Sequence, residues 1–227
     1  DGLFDPAIDI PGPNGFSQTL YSVYNDSTLE DGTTSGFFGE YSDGINGIEV
    51  HQTIFGGVAF PDELNSVIFI KYDIINKGQF NWNGARFGIW SDVDLGVSTN
   101  DAIGVDVDRN MVYAYSTEPG MDYDVFGSDP AVGFRYLSGL NTLQDNIHSG
   151  GCMGDDCTGG AGGNYDNPQS IDAVYNRFNG LQNSGELIID PTNGETTKFV
   201  SSGDPVSGSG WLDSTPQDKM MYFSVAP

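Results

Sequence analysis

Gly88-Ile-Trp-Ser-Asp92-Val-Asp94-Leu-Gly96-Val-Ser-Thr-Asn100-Asp101-Ala-Ile-Gly104-Val-Asp106-Val-Asp108 reads as a strand, an acidic turn and a second strand. Ala85 to Trp90 enters the turn as an apolar run, and Ile103 to Asp108 leaves it with period-two alternation. Met111 to Tyr115 then returns as a hairpin partner around Arg109-Asn110. Two strands joined by a carboxylate-rich bend, followed at once by a hairpin, belong to an antiparallel all-β body.

Outward from that stretch the same grammar repeats. Thr19 to Tyr24, Glu49 to Phe60 (broken at Gly56-Gly57), Val67 to Asn76 and Val132 to Leu137 read as strands, as do Leu187 to Ile189, Lys198 to Val200 and Met220 to Val225. Residues 25–47 and 149–167 read as Gly/Asp-rich loops. One helix is expected near 168–181. Asn167-Pro168 would cap it, and Ile171, Val174, Tyr175, Phe178 and Leu181 would form its apolar face. The expectation is a β-sandwich or jelly roll with one short peripheral helix. An extended arm over 1–16 precedes a single domain over 17–227. Three prolines keep the arm out of a helix, while Leu3, Phe4, Ile8 and Ile10 require a surface to cover.

Composition narrows the functional classes. The formal charge is −24, from 32 acids against 8 bases, which opposes binding to nucleic acid or anionic lipid. High charge alone would suit a disordered chain. Against that, 14 Phe, 11 Tyr and 3 Trp supply the burial a folded core needs. No 18-residue apolar run is present, so no membrane insertion is expected. The sequence opens on Asp1 with no basic segment ahead of an apolar one, which suggests a processed or trimmed product. Cys152 and Cys157 sit in a Gly-rich stretch with four residues between them. They read as a local disulfide worth about 2 kcal/mol at most, and so as a sign of an oxidising compartment. A zinc site would need two further soft ligands that His51 and His148 do not supply by spacing.

The acidic turn is the candidate metal site. Asp92 and Asp94, two apart, project to one side of an extended segment. Asn100, Asp101 and Asp106 would return oxygens from across the turn, and Ca²⁺ accepts six to eight such ligands with tolerant geometry. The alternative is that these acids are solvated or bond their own backbone as Asx-turns. Asp122/Asp124 and Asp155/Asp156 are weaker pairs that suit solvated loops. Catalytic signatures are missing from the sequence. It has no G-x-S-x-G elbow, no H-E-x-x-H, no phosphate-cradling loop and no dinucleotide fingerprint. A carboxylate pair of a glycosidase cannot be picked from so many acids. Among the tryptophans, Trp90 is expected in the core and Trp211 is undecided. Trp82, between Asn81 and Asn83, is the candidate for stacking on a sugar ring. Asn25-Asp-Ser27 fits an N-glycosylation sequon. Asp26-Ser27-Thr28 and Asp213-Ser214-Thr215 resemble short O-glycosylation sites of Bacteroidota, which adds Ser27 and Ser214 as candidates.

Four stretches carry a family resemblance: Gln18 to Asp26, Gly47 to Thr53, Tyr72 to Gly78 leading into Phe87 to Gly96, and Gly203 to Asp213. Together they resemble a domain of secreted and surface proteins that Bacteroidota and related bacteria export by the type IX system. The family pattern often has Cys near the position of Asp106. A disulfide there is absent, and the resemblance leaves Asp106 free to join the cation site. Members usually continue into further modules, so a stop at Pro227 suggests a stand-alone or trimmed unit. The resemblance implies an extracellular, non-catalytic, β-sandwich-like module.

The functional expectation that follows is a structural or adhesive surface protein, with a Ca²⁺-stabilised filament protomer as its specific form. It would form a homopolymer through exchange of its N-terminal arm. A glycan-binding module is the alternative, and a polymer-degrading hydrolase is the third reading.

Overall fold

The structure is a computed structural model. It describes residues 13, 16–26, 47–57, 62–118, 127, 129–139, 146–153, 157, 165 and 167–225. The chain divides into two compact units, Asp1–Trp82 and Asn83–Pro227. The reading of 17–227 as one domain placed no boundary there.

The described part of the first unit is an antiparallel meander of β1 (Gln18–Asn25), β2 (Ile48–Gly56) and β3 (Phe69–Asn76). Of the broken strand pair read over 49–60, β2 forms the first part and ends at Gly56, and residues 58–60 lie outside the described residues. Its register pairs Tyr24 with Val50 and Val50 with Ile74, and Leu20 with Ile54 and Ile54 with Ile70. Period-two alternation therefore gathers these residues on one face together with Tyr72. The opposite face carries charge: Glu49, His51, Lys71 and Asp73. At one end of that face Phe55 stacks on Phe69 at 5.2 Å, and the Phe16 ring sits edge-on 4.9 Å from Phe55.

The second unit is the expected all-β sandwich. One antiparallel sheet runs β4 (Phe87–Asp92), β11 (Met220–Val225), β8 (Ser149–Met153). The other runs β5 (Asp101–Asp106), β6 (Met111–Ser116), β7 (Ala131–Arg135), and β9 (Ile188–Ile189) and β10 (Thr196–Thr197) form a small hairpin. Inward positions alternate as period two requires. Phe87 and Ile89 on β4 and Met221, Phe223 and Val225 on β11 meet Ile103 and Val105 on β5 and Val112 and Ala114 on β6. Asn110 takes a left-handed φ of 54° in the β5–β6 turn, which Asn tolerates better than most residues.

β8 falls inside the stretch read as a glycine loop, and this corrects that reading. Its Gly150-Gly151 pair has low strand propensity, yet close packing demands it. A Cβ on Gly151 would lie 2.6 Å from the Val200 Cβ, and backbone hydrogen bonds link Gly150 to Lys198 and Val200 on that side. Beyond β8 the Cys152–Cys157 disulfide forms as expected.

The single α-helix among the described residues, α1 (Ile171–Phe178), is shorter than the 168–181 span. Its cap is Ser170, whose Oγ accepts the Ala173 N–H at 3.1 Å, and not Asn167. Gly180 ends it at φ 76°, with Gly180 N–H to Arg177 O and Leu181 N–H to Asn176 O closing a Schellman turn. The buried side also differs from expectation. Ala173 and Arg177 are buried, whereas Ile171 and Tyr175 are exposed. The helix turns this side inward because polar groups fix it there. Ser224 Oγ donates to Phe178 O at 2.6 Å and Ser149 Oγ to Arg177 O at 3.0 Å. Arg177 itself lies between the Tyr165 and Tyr222 rings, at 5.2 and 4.9 Å from their centroids, and donates to Cys152 O at 2.8 Å.

Candidate cation site

β4 and β11 pair with Asp92 opposite Met220. Continuing that antiparallel register two residues brings Asp94 opposite Asp218. Positions two apart share a side, so Asp92, Asp94 and Asp218 all project together. One carboxylate oxygen from each lies within 4.8 Å of the others, and all three side chains are exposed. Partial desolvation of its carboxyl, then the charges of Asp218 and Asp94, raises the Asp92 pKa.

Asp218 faces outward because Lys219 faces inward. Lys219 Nζ donates to Asp213 Oδ1 at 2.6 Å, and neither side chain is exposed to solvent. Strand alternation then sends Asp218 to the surface. Sequence reading missed Asp218 because only β4–β11 pairing brings it to the turn. The signal available was its place two residues before the apolar run Met220–Val225.

The other three expected ligands have different partners. Asp101 is 1% exposed, and its Oδ2 accepts the Leu95 N–H at 3.0 Å, closing the acidic turn from within. Asn100 Nδ2 donates to Ser116 Oγ at 3.2 Å, and the Asn100 carbonyl accepts from Thr117 N–H and Oγ1. Asp106 accepts the Arg109 N–H at 2.9 Å and pairs with the Arg109 guanidinium across the β5–β6 turn. The turn thus divides its acids: Asp92 and Asp94 face solvent, and Asp101 and Asp106 hold backbone.

The remaining candidates are placed as follows. Trp90 is 54% exposed, a correction to its expected burial, because Phe87 and Ile89 take the inward positions of β4. Trp82 is 38% exposed, and Trp211 is buried in the sandwich core. His51 bonds Tyr21 Oη at 2.9 Å and Glu49 Oε1 at 3.0 Å. Hydrogen bonds from His51 and then Lys77 hold the Glu49 carboxyl below its ordinary value. Burial, followed by the nearby Lys198 and Arg86 charges, lowers the His148 pKa.

Asn25 ends β1, and Ser214 is exposed beside the buried Asp213. Asp26 is buried and its Oδ1 accepts the Ile48 N–H at 3.0 Å. Ser27, the arm over 1–12, Asp122/Asp124 and Asp155/Asp156 lie outside the described residues.

Compared with known proteins, the chain matches no family model, no curated protein and no solved structure. No helix of the described residues is long and apolar enough to cross a membrane. The disulfide points to a non-reducing setting.

Proposed function

We propose that this chain is a non-catalytic structural or adhesive protein of the extracellular space or cell surface, exported by the type IX route its sequence resembles. It assembles with copies of itself through the 1–16 arm. The observation that carries this reading is the sheet of the first unit. The face formed by Leu20, Ser22, Tyr24, Val50, Gln52, Ile54, Ile70, Tyr72 and Ile74 holds no charged side chain in a chain of net charge −24. Leu20, Ile70 and Ile74 on it are exposed. Among the described residues β1 and β3 pair only with β2, so each presents a strand edge. Leu3, Phe4, Ile8 and Ile10 from a neighbour are chemically suited to such a surface, in the manner of strand addition. Deleting residues 1–12 is expected to give a folded monomer by light scattering, with native circular dichroism. Assembly that persists unchanged after the deletion discards the reading.

In the same reading Ca²⁺ stabilises the sandwich through Asp92, Asp94 and Asp218. The convergence of three carboxylates on one side of the β4–β11 ladder supports it. Saturation at about 100 times Kd would add about 2.7 kcal/mol of stability. A melt that EGTA leaves unmoved removes the site.

A glycan-binding reading is favoured by the exposure of two indoles, Trp82 and Trp90. Binding to a polysaccharide panel that is lost in Trp82→Ala or Trp90→Ala would replace the structural reading.

A further inference from the structure

We propose that Asp213 and Lys219 form an intramolecular amide bond, a covalent cross-link made by condensation of their side chains inside the sandwich unit. The pair is separated from the other lysine–carboxylate pairs of the described residues by its burial. Lys71–Asp73 and Lys77–Glu49 are open to solvent, whereas both Asp213 and Lys219 are fully enclosed. Lys219 Nζ lies 2.6 Å from Asp213 Oδ1, the atom bonded to the carbon that the amine would attack. The other oxygen, Oδ2, accepts the Ile103 N–H at 3.0 Å, and Oδ1 also receives the Thr215 N–H at 3.3 Å.

This arrangement supplies what the reaction needs. An ion pair taken out of water loses the solvation that favours its charged form. A proton passing from the ammonium to the carboxylate leaves a neutral amine and a carboxylic acid in contact. The Nζ lone pair then forms the bond to Cγ, and negative charge gathers on Oδ2. The Ile103 N–H is already placed to stabilise that charge. The Cγ–Oδ1 bond breaks, Oδ1 takes a proton from nitrogen, and one water leaves. The product is a secondary amide whose carbonyl oxygen, Oδ2, keeps its hydrogen bond to Ile103. No oxidant, reductant or other reactant is consumed. Fixed contact between the two groups replaces an encounter in solution, and burial keeps water from reversing the step. The cross-link would tie the segment before β11 to itself and hold it against β5 through Ile103. It depends on neither self-assembly nor Ca²⁺.

Intact-mass spectrometry of the purified full chain decides the matter. The expected mass is that of the sequence, less two hydrogens for the disulfide and one further water. Trypsin is expected not to cut after Lys219, so residues 199–227 appear as one peptide carrying the loss. Lys219→Met and Asp213→Ala are expected to restore the full mass. A wild-type mass without the missing water, with clean cleavage after Lys219, overturns the proposal. So does a water loss that persists in Lys219→Met or that fragmentation places elsewhere. If either variant fails to fold, the wild-type mass and digest still give the answer.

Discussion

Asp92 stands where three like charges meet, and its behaviour with pH follows from that. Its pKa is raised by partial desolvation and then by Asp218 and Asp94, so the folded state disfavours its ionised form. Such a group contributes stability that is present below the unfolded carboxylate pKa and lost as pH rises through the raised folded value. In chelator, Asp92 therefore opposes the fold more near neutrality than at acid pH. A bound divalent cation reverses this, since its ligands must be deprotonated. Asp94→Asn is expected to melt higher than wild type at neutral pH in EDTA and to lose its response to Ca²⁺. Paired melts of both proteins, with and without the ion, check both halves. Equal responses to Ca²⁺ would show that Asp94 is not a ligand.

At the scale of elements, glycine does in β8 what a side chain does elsewhere. Gly151 lies against Val200 at a φ of 149°, so Gly151→Ala meets both a close contact and an unfavourable backbone. The expected cost is about 1–3 kcal/mol, read as a lower denaturant midpoint. A neutral result would mean that the β8–Val200 contact is looser than described. α1 depends on its cap: Ser170→Ala is expected to cost about 1 kcal/mol by the same measurement. Ser170→Asp should recover most of that loss, because an aspartate also accepts from the first turn and suits the helix dipole.

At the scale of the whole molecule, the two units differ in how they handle apolar surface. The sandwich encloses its own, from Phe87 and Ile89 on β4 to Val112 and Ala114 on β6. The described sheet of the first unit keeps Leu20, Ile70 and Ile74 exposed. Self-association through an uncharged face has a signature: screening the net charge with salt should promote it. Light scattering from about 0.05 to 0.5 M salt is expected to show growing assembly in the full chain and none in the 1–12 deletion. Assembly that weakens with salt would point to charge pairing.

Much of the architecture is decided within the sequence itself. Short apolar and aromatic runs mark β4, β6 and β11, and period-two alternation marks β5. The hairpin at Arg109-Asn110 follows from local turn chemistry, and two cysteines five positions apart close a local disulfide. Each of these depends on neighbours along the chain. Tertiary structure alone decided the rest. It made a strand of Ser149–Met153, because close packing against Val200 outweighs poor strand propensity. It turned Trp90 outward, because β4 gives its inward positions to Phe87 and Ile89. It brought Asp218 beside Asp92 and Asp94 and gave Asn100, Asp101 and Asp106 other hydrogen-bond partners, because register between β4 and β11 joins residues that no local spacing connects.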